Sequence, residues 1–383
     1  MTDKLTGYWN EDKKAGIRTH VAILSLNGFC TETVNRIADS VRGVTPLTHE
    51  FGRNEIGLNK QRLESSLLKT ALNPNVHSVL VVGYEPKSVE EYVAAFRKNS
   101  KKRIESVVVS DAGTLTAIRD GSRKALGLVI SASEARREPI QMSDLVFGLK
   151  CGGSDTTSGV ASNPAVGVAT DYIVEHGGTA IFSETTEIIG AEHILAKRAV
   201  NASVAKRIYA VAKANEDLAM SYGVDLVGTN PVPDNIKGGL STIEEKSLGA
   251  ILKAGTSKIM GVLDYEESAP GKGVYFMDSP SAAQAVLTAL AAGGCQIILF
   301  STGTGNPVGT AVAPVVKVTA NPRTVKNLGD HIDVDICSVL TGDATLGEAG
   351  KKVIEAVTAI VNGKSTRNEA LNHLEFAPLP GGL

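Results

Sequence analysis

Residues 148–199 read GLKCGGSDTTSGVASNPAVGVATDYIVEHGGTAIFSETTEIIGAEHILAKRA, and this stretch decides the fold. Leu145 to Leu149 is a short apolar run that continues through Lys150 into Cys151-Gly152-Gly153-Ser154-Asp155. Such a run reads as a buried strand, and glycines directly after it let the backbone approach a ligand closely. The N–H groups of such a turn can cradle an anion. From Ala161 the pattern becomes helical, and Thr179 to Phe182 is a second apolar strand. It runs into Ser183-Glu184, followed by Glu187, Glu192 and His193. Polar and ionisable groups thus gather after two strands, where open α/β sheets place their ligands.

The same alternation extends in both directions. Strands are predicted at 20–26, 77–83, 105–110, 296–301 and 314–319. Helices are predicted at 31–41, 57–72, 88–99, 114–137, 202–222, 242–254 and 282–292, with a helical tail from Gly347 to Pro378. This rhythm predicts an α/β protein, two α/β domains with mainly parallel sheets flanked by helices. Glu138-Pro139 marks the boundary between an N-terminal domain, 1–138, and a C-terminal domain, 139–383, which carries CGGSD and SETTEIIGAEH. A length of 383 residues suits two such units.

Composition excludes several function classes. A formal net charge of −2 argues against a nucleic-acid partner, which needs a basic face. Lys101-Lys102-Arg103 reads as a solvated helix end. No apolar segment reaches the length of about 18 residues needed for a membrane span, and the polar start does not resemble a signal peptide. No membrane association and a cytoplasmic location are therefore expected. Cys30, Cys151, Cys295 and Cys337 lie far apart, without a CxxC pair, which argues against structural zinc and a disulfide framework. Thr302-Gly303-Thr304-Gly305-Asn306-Pro307 resembles a phosphate cradle, but lacks the Lys-Ser or Lys-Thr of a P-loop. With no GxGxxG after any strand, no nucleotide cofactor is expected.

The chemistry-bearing residues each admit a plainer role. Cys151 suits a small buried site, Glu184 and Glu187 suit a helix N-terminus, and His193 suits a helix interior. Arg18 suits the surface. His49-Glu50-Phe51-Gly52-Arg53 is denser in polar groups than a connector requires. Together these residues favour an enzyme acting on a small polar or anionic substrate, with carboxylates, a histidine and a thiolate able to bind a divalent metal. Spacing alone leaves the reaction type open.

The chain resembles the altronate/galactarate dehydratase family over nearly its whole length. Gly7, Tyr8, Asp12, Gly16 and Arg18 stand where the family's opening motif has them, whereas Asn10, Lys13 and Lys14 depart from it. NPNVHSVLVVG follows from Asn73, and then, in family order, GLKCGGSD, ASNPAVG, GGTAIFSETTEIIGAEH, TNPVPDNIKGGLSTIEEKSLG, KAGTS, LFSTGTGNPVG and APVVKVTANP. The resemblance implies a lyase that removes the C2 proton of a 2-hydroxy acid and expels the C3 substituent, with ferrous iron as cofactor. On that basis Cys151, Glu184 and His193 are the expected metal ligands. His49, Glu184, Glu187, His193 and Lys246 are the expected catalytic residues. Arg18, Arg53, Ser154, Asp155, Asn163 and Thr304 are expected to bind substrate. The family core begins by Gly7, as in split members whose small alpha subunit is a separate chain, so a two-subunit oligomer is expected. Where the dehydratases have His-x-x-Gly-Cys, this chain has Arg53, which suits a sulfonate through a bidentate guanidinium fork. That points to the family's sulfolactate-cleaving branch, with a sugar-acid dehydratase as the alternative. A nicotinamide oxidoreductase and a non-catalytic subunit are the competing classes.

Overall fold

The computed structural model describes residues 4–378. Its first strands are β1 (Leu5–Trp9), β2 (Ala15–Gly16), β3 (His20–Ser25), β4 (Val44–Leu47), β5 (Val76–Gly83), β6 (Arg103–Val108) and β7 (Glu138–Ile140). Then come β8 (Val146–Gly152), β9 (Thr179–Phe182), β10 (Ile259–Leu263), β11 (Gly273–Met277), β12 (Ile297–Thr302), β13 (Val315–Thr319) and β14 (Val334–Asp335). One sheet has the order β4-β3-β5-β6 and a second β10-β11-β9-β8-β12-β13-β14, and the pairs in both are parallel. The expected α/β class with mainly parallel sheets is therefore what forms. Buried on both faces, such strands need the continuous Val/Ile/Leu runs seen at 76–83 and 297–302.

Several predicted elements sit within one to four residues of their observed limits, and the helix at 57–72 and the strand at 179–182 coincide with them. The predicted helix at 114–137 ends at Ser133, and the tail departs further from expectation. It forms one helix, Leu346–Val361, breaks at Asn362-Gly363, where Gly363 has φ +108°, and regains only a short turn at Arg367–Ala370. A small antiparallel sheet, β2-β1-β7, was not anticipated, and it ties residues 5–7 to 138–140. Arg137 fastens the same region, donating to Thr6 O at 2.7 Å and to the Val361 carbonyl. The basic run also departs from its reading. Lys102 is buried, and its Nζ donates to the carbonyls of Leu72 (3.0 Å) and Asn73 (2.7 Å), at the electronegative end of the helix 57–72. Burial pushes its pKa down to about 7.

His20 opens β3 with Nδ1 3.2 Å from Thr45 Oγ1. Burial, opposed by Glu369 and reinforced by Arg18, pushes its pKa down to about 4. Because the folded value lies below the ordinary one near 6.5, the unfolded chain takes up the proton first on acidification. Stability from this site is complete above about pH 6.5 and is lost as pH falls toward 4. Between pH 7 and 4.5 the expected loss is about 2–3 kcal/mol. Urea unfolding at the two pH values measures it, and His20→Gln should flatten the dependence.

Candidate active site

In the seven-stranded sheet the chain lays β9, β10 and β11 to one side of β8, then crosses to place β12, β13 and β14 on the other. The crevice at the carboxyl ends of β8 and β12 is thus a topological switch point, the usual ligand position in open α/β sheets. Two loops meet there. Gly153 O accepts the N–H groups of Gly303 (3.1 Å) and Thr304 (2.8 Å). Gly153 has φ +64°, and a Cβ on it would stand 2.7 Å from Gly305 O, so only glycine permits this approach.

Behind the loops lies a buried charge cluster. The register Leu149↔Phe182 of β8 and β9 brings Cys151 level with Glu184. Glu184 is fully buried at φ +81°, a left-handed conformation costly for a side chain larger than glycine. A clamp from the loop after β11 holds it there. Glu184 N donates to Ser279 Oγ (3.0 Å), Thr185 N donates to Ser279 O (3.0 Å), and Thr185 Oγ1 donates to Asp278 Oδ1 (2.6 Å).

Both oxygens of Glu184 are engaged. Oε1 pairs with Lys150 Nζ, while Oε2 lies 3.2 Å from Lys253 Nζ and accepts the Cys151 N–H at 3.1 Å. Lys253 also donates to Cys151 Sγ at 3.2 Å. Burial opposes ionisation of Glu184, but Lys150, Lys253 and the Cys151 N–H outweigh it and hold the carboxyl below its usual range. Burial by itself would discharge Lys253; Cys151, Glu184 and Glu187 keep its pKa above the ordinary lysine value. The Cys151 thiol is pushed up to about 11 by burial, with Lys253 opposing. A neutral thiol leaves Lys150, Lys253 and Glu184 with a net charge of +1, a poised counter-charge for an anion.

Of the sequence-predicted residues, the fold brings together Cys151, Glu184, Glu187 and Lys246. Lys246 Nζ lies 3.0 Å from Glu187 Oε1 and donates to Asn230 Oδ1 at 2.8 Å. Thr304 is exposed on the lip. Ser154 and Asp155 are buried beneath it. The Asp155 carboxylate already accepts from Thr157 Oγ1, Ser158 N and Asn321 Nδ2 at 2.7–2.8 Å, which makes it a brace for this turn. Asn163 is buried with Oδ1 unpartnered.

Four other expected residues make no hydrogen bond or ion pair with this cluster. Arg18 spends its guanidinium on Glu369 and on the carbonyls of Ile17, Ile360 and Lys364, so it staples the chain instead of presenting a free fork to substrate. Arg53 forms a half-exposed pair with Glu85 beyond the carboxyl ends of β4 and β5, 5.8 Å from the Tyr84 ring centre. His49 is buried at the end of β4, with Nε2 3.1 Å from Ser25 O and Nδ1 unpartnered; burial lowers its pKa. His193 is exposed on the helix Glu192–Lys197.

The expected iron set is not assembled. Among the described residues no group of three or more His, Cys, Asp or Glu side chains could hold a metal ion. Lys150 and Lys253 saturate Glu184, Lys253 holds Cys151 Sγ, and His193 faces solvent. Cys151, Glu184 and His193 do not fit a ferrous ion as placed.

Sequence reasoning missed Lys150 and Lys253. The signal for Lys150 was present, since a lysine inside the apolar run VFGLKCG must find a partner or cost several kcal/mol. Lys253 stands in the KAGTS motif, but its own surroundings gave no such signal, because a lysine near the end of a helix normally faces water.

Comparison with known proteins bears on this arrangement. The family described as D-galactarate/altronate dehydratase, C-terminal, matches residues 142–382. The second domain of D-galactarate dehydratase/altronate hydrolase matches residues 7–133. The chain is 40% identical over 372 residues to the (2R)-sulfolactate sulfo-lyase subunit beta of Chromohalobacter salexigens, covering 97% of this chain and 95% of that one. It is 30% identical over 393 residues to altronate dehydratase of Bacillus subtilis, covering 98% of this chain and 78% of that protein. Galactarate dehydratase (L-threo-forming) of Escherichia coli is 36% identical over 232 residues, 61% of this chain and 44% of that enzyme.

Proposed function

This chain belongs to the altronate/galactarate dehydratase family of lyases, and on that premise we propose that it cleaves (2R)-sulfolactate to pyruvate and sulfite as the large subunit of a two-subunit enzyme. The observation that carries the reading is the buried Lys150–Glu184–Lys253 cluster with its net positive charge, set behind a glycine-lined switch point. Sulfolactate bears a carboxylate and a sulfonate, and a C2 proton beside a carboxylate is hard to remove. The positive field of Lys150 and Lys253, whose own hydrogen bonds go to Glu184, Cys151 and Ser281, withdraws charge as the carbanion develops, and being fixed in place it costs no reorganisation. Departure of sulfite from C3 gives the enol of pyruvate. The substrate-binding role expected of Arg18 and Arg53 falls here to the field of Lys150 and Lys253, because Arg18 is spent on the C-terminal segments and Arg53 on Glu85. No step here is routed through iron, because Cys151, Glu184 and His193 do not fit it as placed.

The identity to a protein named as a beta subunit favours a small partner chain and the sulfonate substrate. Identity to altronate dehydratase supports a second reading, loss of water from a sugar acid. No helix among the described residues is long and apolar enough to cross a membrane. The test is an assay of sulfite and pyruvate release from sulfolactate beside water loss from altronate and galactarate, with and without the small subunit. We expect sulfolactate to be favoured at least a hundredfold in kcat/KM, about 2.7 kcal/mol of transition-state preference. Equal or better use of altronate overturns the sulfo-lyase assignment in favour of the dehydratase.

A further inference from the structure

Resting on that reading, we infer that Glu187, and not Glu184, is the catalytic base that takes the C2 proton. The two carboxylates sit three residues apart and differ in what their oxygens touch. Glu184 meets two ammonium groups and a backbone N–H, so its lone pairs are engaged and its proton affinity is held down. A base needs a free lone pair within reach of the proton it abstracts. Glu187 has one. Its Oε1 is 3.0 Å from Lys246 Nζ, while Oε2 is buried with no hydrogen-bond partner.

A bare carboxylate oxygen away from water is rare in folded proteins, where more than about 90% of buried polar atoms are paired. It implies that a donor arrives from outside the chain. Two hydroxyls in the same segments, Ser183 Oγ and Ser247 Oγ, are also buried and unpartnered, so the surroundings of Glu187 hold unused polar capacity. The charge of Glu187 acts on both Lys253 and Cys151, which places it beside the positive cluster. Lys246, itself nearly buried and fixed by Asn230, anchors Oε1 and so sets the direction in which Oε2 points.

In the step that follows, the C2–H bond breaks and its proton goes to Glu187 Oε2. The C2 electron pair forms the C2=C3 double bond, and the C3–S pair leaves with sulfite. Glu187 then returns the proton to C3, while the enol hydroxyl proton passes to sulfite. Sulfolactate thereby gives pyruvate and hydrogensulfite with atoms and charge in balance.

The experiment uses the two-subunit enzyme with sulfolactate carrying hydrogen or deuterium at C2. Glu187→Gln should lower kcat at least a thousandfold, with KM within about threefold and an unchanged unfolding midpoint. Glu187→Asp should retain measurable turnover, at least tenfold slowed, with a full primary isotope effect; a structural role would not make C2–H cleavage limiting. Turnover of Glu187→Gln within tenfold of wild type overturns the assignment. If that variant does not fold, Glu187→Asp decides, and wild-type kcat without an isotope effect overturns it. Wild-type enzyme inactive on sulfolactate, altronate and galactarate alike would overturn the reading of the site and this assignment with it, a result distinct from an active wild type with a near-normal variant.

Discussion

Glu184→Ala is expected to lower the free energy of unfolding by about 3–5 kcal/mol, the cost of leaving a buried charge without its partner. The substitution removes the one anion that contacts both Lys150 and Lys253, so the local charge rises from +1 to +2 in a place closed to water. Lys253→Met is the contrasting change. It leaves Lys150 paired with Glu184, brings the local charge to zero, and replaces an ammonium by an apolar chain of similar length. Replacing buried ions with well-packed apolar groups is often neutral or stabilising. The expected cost is therefore at most about 1–2 kcal/mol, from the unpaired Cys151 Sγ and the lost contact at Glu184 Oε2. Both variants should lose catalysis, because each disturbs the counter-charge for the substrate carboxylate. Urea unfolding with a constant m-value measures the first effect and turnover the second. Equal destabilisation by the two substitutions would refute the charge-balance account.

The architecture was legible because parallel strands buried on both faces write themselves as unbroken apolar runs. HSVLVVG and QIILFST could be located to within a residue or so on that ground alone. β10 and β11 escaped notice because IMGVL and GVYFM are short, carry glycines, and are separated by the polar turn at 264–272. The predicted end of β8 fell at Leu149, since a lysine normally closes an apolar run; the strand in fact carries Lys150 and Cys151 inward. What stayed hidden in the site were the partners. Nothing near Lys253 in sequence says that it meets Glu184, 69 positions earlier, because that contact is made by the packing of the turn Ile251–Ala254 against the strand ends. His193 was rightly placed in a helix, but which side of a six-residue helix faces water depends on the neighbouring helix Ala202–Ser221.

Arg18 shows the same limit, and it supports the other large prediction. Its guanidinium forms a fork with Glu369, Nε to Oε1 at 2.7 Å and Nη2 to Oε2 at 2.9 Å. Nη1 donates to Ile17 O and Ile360 O, each at 3.0 Å, and Nη2 donates again to Lys364 O at 2.9 Å. One side chain thereby joins the entry to β3 with the end of the helix Leu346–Val361 and with the turn Arg367–Ala370. Lysine keeps the charge but presents a single nitrogen, so it cannot hold the carboxylate fork and the three carbonyls together. Charge-assisted hydrogen bonds contribute about 1.5–3 kcal/mol each, and some return through the lysine itself. Arg18→Lys is accordingly expected to cost about 2–4 kcal/mol of stability. The KM for the substrate should not change, because no donor of Arg18 is left over to bind it. A variant of undiminished stability whose KM has risen tenfold would return Arg18 to the substrate site and remove it from the staple.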